Sequence, residues 1–218
     1  MRYRALFPAL LLAALAACAP ASTPAEETPA PELRLELPMA LLERHMSDDR
    51  YEALGGFRPV LEEGQSFLLT EDCDTGESRT AVMAELLADR PELDYLMVED
   101  LDGDGGLDLI LHFPDQGGGY LILRRDGEEF WGLLLGERSF EGLQTNGVFV
   151  GSGGAFAQYY CRLAFREGTF SLDLLGEQEG EQYRIDGEPV DLEAFQAWLD
   201  EHLPGDAPRY TGALWTDL

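Results

Sequence analysis

Tyr95-Leu96-Met97-Val98-Glu99-Asp100-Leu101-Asp102-Gly103-Asp104-Gly105-Gly106-Leu107-Asp108-Leu109-Ile110-Leu111 sets the class of the fold. Two apolar runs flank an acidic, glycine-rich turn, and runs this short and rich in branched residues read as strands. Within the turn, Asp100, Asp102 and Asp104 stand at loop positions 1, 3 and 5, and Asp108 stands at position 9. Alternate side chains in such a loop wrap inward, and a glycine at position 6 allows the sharp turn that a hard cation with several oxygen ligands requires. The backbone carbonyl of Gly106 serves position 7 in this scheme. Four carboxylates with no base among them repel one another, and a divalent ion removes that cost. Calcium is therefore the expected cofactor, with Asp100, Asp102, Asp104, Gly106 and Asp108 as its ligand set. The other reading is an acidic turn that needs no metal.

The loop departs from an EF-hand at position 12, where Leu111 replaces the bidentate glutamate, and in its flanks, which read as strands rather than helices. It resembles the strand–loop–strand calcium sites of FG-GAP and VCBS-type repeats, in which an aspartate at position 9 completes the site. Those families use many copies and this chain has one. The resemblance implies a local calcium site and not a propeller. Incomplete coordination sets an expected affinity of ~10⁻⁴ M and a structural role.

Outward from the loop the chain alternates strand patterns and turns. Expected strands are Ser66–Thr70, Tyr95–Glu99, Leu107–Phe113, Gly119–Arg124, Phe130–Leu135, Ala157–Phe165, Phe170–Leu175 and Gln182–Ile185. Asp126-Gly127, Glu167-Gly168 and Asp186-Gly187 mark tight turns between them. Helical spacing appears over Met39–Leu54, Ser78–Asp89 and Leu192–Leu203, the last capped by Asp191. The expected class is α+β, an antiparallel β meander with helices near both ends of one domain spanning 38–218.

The N-terminus carries Arg2 and Arg4, then an apolar run from Ala5 to Ala17, closed by Leu15-Ala16-Ala17-Cys18. The run is short for ~30 Å of hydrocarbon, and its layout is that of a secretory signal. Leu15-Ala16-Ala17-Cys18 resembles the lipobox of bacterial lipoproteins. That resemblance implies that residues 1–17 are removed and that Cys18 is lipidated, with palmitate among its acyl chains. The Pro/Ala/Thr/Glu stretch 18–37 then reads as a semi-extended tether. The expected location is the extracytoplasmic face of the cell membrane, held there by the lipid.

The order of motifs from Tyr95 to Leu203 is also similar to small lipoproteins of Gram-positive anaerobes with no assigned activity. These motifs are the acidic loop, Asn146-Gly147, Gly151-Ser152-Gly153-Gly154, a tyrosine-rich strand, and Tyr183-Arg184-Ile185-Asp186-Gly187-Glu188-Pro189-Val190 leading into a helix. That likeness bears on the outline of the fold and not on mechanism.

Composition excludes more than it assigns. Acids number 42 against 15 bases, for a formal charge of −27, a field that repels nucleic acid. All the bases are arginine. Without lysine there is neither a phosphate-binding P-loop nor Schiff-base chemistry. Cys73 and Cys161 are the cysteines left after Cys18. In an exported chain they are either a disulfide, worth roughly 4 kcal/mol by closing a loop of nearly ninety residues, or two reduced thiols. His45, His112 and His202 form no zinc motif; only His112 follows the acidic loop closely. Ser152 lacks the context of a nucleophile elbow, and its Gly-rich surroundings, Val150 to Gly154, read as a flexible loop. Trp131, Trp198, Trp215, Tyr159 and Tyr160 read as core rather than as a groove. The expected function is a non-catalytic binding or interaction module for an unidentified protein or glycan. The alternative is a hydrolase acting on cell-envelope or extracellular polymers.

Overall fold

β3 (Tyr95–Glu99) and β4 (Asp108–Phe113) form the hairpin that the acidic turn announces, with Glu99 paired to Asp108 and Tyr95 to His112. The computed structural model describes residues 42–203, except 45, 72, 74, 91–92 and 115–117, together with the backbone of 213–214. The leader, Cys18, the tether, His45 and Trp215 lie outside the described residues.

Before the hairpin come α1 (Asp48–Gly55), α2 (Arg58–Leu61), β1 (Phe67–Thr70), β2 (Ser78–Ala81) and α3 (Met83–Asp89). After it come β5 (Gly119–Asp126), β6 (Glu129–Gly136), β7 (Val148–Gly154), β8 (Ala157–Arg166), β9 (Thr169–Glu179), β10 (Gln182–Ile185) and β11 (Glu188–Val190). α4 (Leu192–His202) and β12 (Ala213–Leu214) close the order. Strands dominate, with helices near both ends of the described chain.

These strands make two sheets, not a single meander. The first has the order β12-β3-β4-β5-β6-β1-β2, and the second β11-β10-β9-β8-β7. β3 to β6 do run as an antiparallel meander, but β1 then joins β6 in parallel, with Leu68 opposite Trp131. That pairing spans some sixty residues and leaves no mark in local periodicity.

The layers follow from burial. β4 is buried at every position, and β5 at its first six. Strands covered on both faces read as unbroken apolar runs rather than alternation. Leu109-Ile110-Leu111 and Leu121-Ile122-Leu123 are such runs. One face, carrying Leu96, Val98, Leu109, Leu111, Leu121 and Leu123, packs against Leu54, Phe57, Val60, Met83 and Leu86 from the helices. The other, carrying Met97, Ile110, Ile122, Leu133 and Leu135, packs against Phe149, Leu163 and Phe170 of the second sheet. On the second sheet, Phe195 and Trp198 of α4 meet Tyr160 edge-on at 5.8 and 5.7 Å. Asp191 caps α4 by accepting the Ala194 N–H at 2.8 Å.

Three local expectations change. The helix expected over Ser78–Asp89 begins only at Met83, because Ser78–Ala81 pairs with β1 as an edge strand. The Thr70 and Ser78 hydroxyls meet there at 2.9 Å, and Arg79 bridges Glu71 at 3.0 Å. The helix expected over Met39–Leu54 breaks at Met46 and Ser47, and α1 starts at Asp48. The glycine-rich run is a strand, not a flexible loop: β7 pairs Gly151 with Tyr159 and Ser152 with Gln158. Two of the marked hairpin turns have positive φ at both central residues, Glu167-Gly168 (53°, 75°) and Asp186-Gly187 (49°, 80°). That is the type I′ geometry that suits strand twist.

Burial on both faces sets a test. Leu121→Ala and Ile122→Ala, adjacent and pointing oppositely, should each cost about 2–5 kcal/mol in urea unfolding. A sheet with one wet face would tolerate one of the two.

Candidate metal centre

The acidic turn leaves β3 after Glu99 and re-enters the sheet at Asp108. Its backbone is ordered by its own carboxylates. Asp100 accepts the N–H groups of Gly103 and Gly105 at 2.8 and 2.9 Å. Asp104 accepts the Gly106 N–H at 2.7 Å, and Asp102 accepts the Asp104 N–H at 3.3 Å. One oxygen from each of Asp100, Asp102 and Asp104 lies within 4.8 Å of the others. That cluster can hold a metal ion.

Asp108 stands apart from this triad. It is fully buried, and its Oδ2 accepts the Leu101 N–H at 3.3 Å. Its Oδ1 has no hydrogen-bond partner, lying 3.7 Å from Nη1 of Arg124. Burial pushes the Asp108 carboxyl up to about 7, against the pull of Arg124 and of the Leu101 N–H.

Arg124, near the end of β5, is the residue that the sequence reading missed. Nη1 donates to Asp102 at 2.8 Å and Nη2 to Asp104. Its guanidinium carbon sits 4.9 Å from the centre of the Phe165 ring. Burial works against its charge, and Asp108, Asp102 and Asp104 more than offset it, so its pKa rises. The loop's own count of charges contains no base because the base arrives from the next strand. Parity could have found it: Arg124 lies two residues after Ile122, hence on the face turned to the second sheet.

A further ion pair stands just before the loop. Arg50 of α1 donates to the Val98 carbonyl at 3.0 Å and to Glu99 at 2.5 Å. Burial raises the Glu99 pKa in spite of that partner.

The remaining candidates fall elsewhere. His112 lies four residues along β4 from Asp108, roughly 13 Å away at strand rise. It bonds Asp94 at 3.0 Å and Glu137 at 3.3 Å, between the rings of Tyr95 and Tyr120 at 4.7 Å each. His202 contacts the Trp198 carbonyl at 2.9 Å and stacks on its indole. Ser152 accepts from Arg138 at 2.6 Å. Trp131 packs edge-on against Phe165, and Tyr159 is partly exposed. Cys73 and Cys161 carry thiols; Cys161 belongs to the inner cluster between the sheets and Cys73 packs against it.

No family model, curated protein or solved structure matches the chain. Among the described residues, no helix is long and apolar enough to cross a membrane.

Burial, and then the nearby Cys73, pushes the Cys161 thiol up from 9.0 to about 11. With the protein reduced, iodoacetamide at pH 8 should modify Cys161 about a hundredfold more slowly than an unstructured thiol. Comparable rates would contradict the burial described.

Proposed function

We propose that the protein is a lipid-anchored extracytoplasmic module that uses a calcium ion to fix its acidic loop, and that its role is binding rather than catalysis. The observation that carries the metal in this reading is the cluster of Asp100, Asp102 and Asp104, whose oxygens lie within 4.8 Å of one another. The set fits a hard cation: all donors are carboxylate oxygens, and the buried Asp108 brings an oxygen with no hydrogen-bond partner to the same loop. Bound calcium would add charge that binds the folded loop and not the unfolded chain, and so would stabilise the fold.

Arg124 and calcium compete in this account. The guanidinium holds Asp102 and Asp104, and a cation binding the triad must share or replace those contacts. The arginine keeps the metal-free loop folded at the expense of calcium affinity. Exchange of one cation for another suits a module that meets variable extracytoplasmic calcium.

Support for a binding role comes from the cavity beside the loop, about 390 Å³, which Asp100, Asp102, Asn146 and Arg162 line with polar groups. His112 is packed between the Tyr95 and Tyr120 rings. The anchor is proposed from the Leu15-Ala16-Ala17-Cys18 motif alone. Partners are the membrane, through the lipid, and a protein or glycan; the charge of −27 argues against nucleic acid.

Three outcomes test the reading. Millimolar calcium should raise the melting midpoint of the chelator-treated chain by several degrees, and Asp102→Ala/Asp104→Ala should abolish the rise; identical melting in all samples would remove the metal from the account. Arg124→Gln should bind calcium roughly tenfold more tightly than the parent chain, the size expected for losing one charge-assisted competitor. Weaker binding would show that the arginine supports the ion instead. In a bacterial host, Cys18→Ser should move the protein from the membrane to the soluble fraction, whereas unchanged partitioning would refute the lipid anchor.

A further inference from the structure

One cavity of about 390 Å³ opens directly beside the acidic loop, between Asp100 and Asp102 on one wall and Arg162 of β8 on the other. Arg162 is half-buried, and its Nε is enclosed without a hydrogen-bond partner. The chain has 42 acids for 15 bases, yet no carboxylate among the described residues pairs with this guanidinium. A partner was within reach. Asp173 stands directly across from Arg162 on β9, but it bonds Arg166 at 3.1 Å instead. Arg162 is thereby left facing the cavity with its donors unspent.

The cavity's third side is a fixed turn. The Gly147 N–H reaches the Gln144 carbonyl at 2.9 Å, and Asn146 donates to the His202 carbonyl at 2.9 Å while accepting the Val148 N–H at 3.0 Å. Gly147 has φ +80°, and a Cβ there would stand 2.7 Å from the Leu101 carbonyl. Glycine lets this turn press against the acidic loop, so the loop and the Arg162 wall keep a set spacing. Walls held this way bind without an ordering cost.

We propose that this cavity is a calcium-dependent subsite for a small carboxylate-bearing ligand, with Arg162 as its anion-binding side chain. The inference rests on the calcium reading of the loop. A planar guanidinium with free donors matches a carboxylate in a bidentate pair. The opposite wall belongs to a loop whose three clustered aspartates outnumber Arg124, so it repels an anion, and calcium on the loop cancels that repulsion. A volume of about 390 Å³ admits a group the size of a sugar acid or a short peptide end. Both sources present the same carboxylate.

The test is calorimetric titration of the full chain, in millimolar calcium and in chelator, with galacturonate and with N-acetyl-dialanine as probes. Galactose and N-acetyl-dialaninamide are the neutral counterparts. A saturable signal is expected with at least one carboxylate, none with its neutral counterpart, and loss of the signal in chelator. Response to galacturonate alone assigns a sugar acid, and response to the dipeptide alone assigns a peptide carboxyl end. Arg162→Gln should keep calcium binding and lose carboxylate affinity at least ~tenfold. Arg162→Lys, which keeps the charge and loses the fork, should fall between and serves if the glutamine variant does not fold. The proposal is overturned if calcium binds and neither carboxylate does, if carboxylate binding persists unchanged in chelator, or if Arg162→Gln binds like the parent. Absence of calcium binding itself would mark the failure of the loop reading instead, and would take this subsite with it.

Discussion

A single guanidinium joins three parts of the molecule. Arg124 belongs to β5 of the first sheet, its donors go to Asp102 and Asp104 of the β3–β4 loop, and its flat face lies over Phe165 of the second sheet. Asp102 completes the connection by accepting the Phe165 N–H at 3.2 Å. The loop is thus fastened to both sheets at once. Its side chains are nearly dry on Arg124 and Asp102, 7% and 10% exposed, so the pair escapes the solvent screening that makes surface ion pairs worth little. Breaking it would leave an uncompensated charge where the sheets meet.

The same constraint explains how so acidic a chain folds. Most of its carboxylates are solvated, and the buried ones are each given a cation or a set of N–H groups. Glu99 takes Arg50, and Asp102 takes Arg124, which also reaches the exposed Asp104. Asp108 has the Leu101 N–H and Arg124 at 3.7 Å, and burial still pushes its carboxyl up to about 7. The loop gathers the Asp100, Asp102 and Asp104 carboxylates around one arginine, and that cluster could hold a metal ion. Around it, the sheet spacing and the turn at Gly147 hold Arg162 at the edge of the same field.

The acidic loop and its flanking strands were legible because their signals are local. Alternating aspartates, a glycine at the turn and two apolar runs all lie within seventeen residues of the sequence. The hairpin turns at Glu167-Gly168 and Asp186-Gly187 were legible for the same reason, since positive φ at two successive positions restricts the residues allowed. The parallel pairing of β1 with β6 was not, because its partners are distant and neither strand alone encodes direction. β7 was hidden by its glycines, which suggest freedom until the cross-strand pairing with β8 is seen. Ser78–Ala81 matched a helical pattern only because the edge strand and α3 abut without a turn residue between them. Arg124 could be placed only by parity with Ile122 on β5, and Arg162 not from spacing at all. Arginine reads as surface by default, and only the packing of the folded chain buries Arg124 and half-buries Arg162.

A double-mutant cycle on Asp102→Asn and Arg124→Gln, measured by urea unfolding in chelator, tests the central claim most directly. If this pair fastens the loop to both sheets, the double variant will lose less stability than the two single losses combined, with a coupling of about 1–3 kcal/mol. Losses that add to within about 0.5 kcal/mol would mean that the two residues act independently, and that the fold does not depend on their contact.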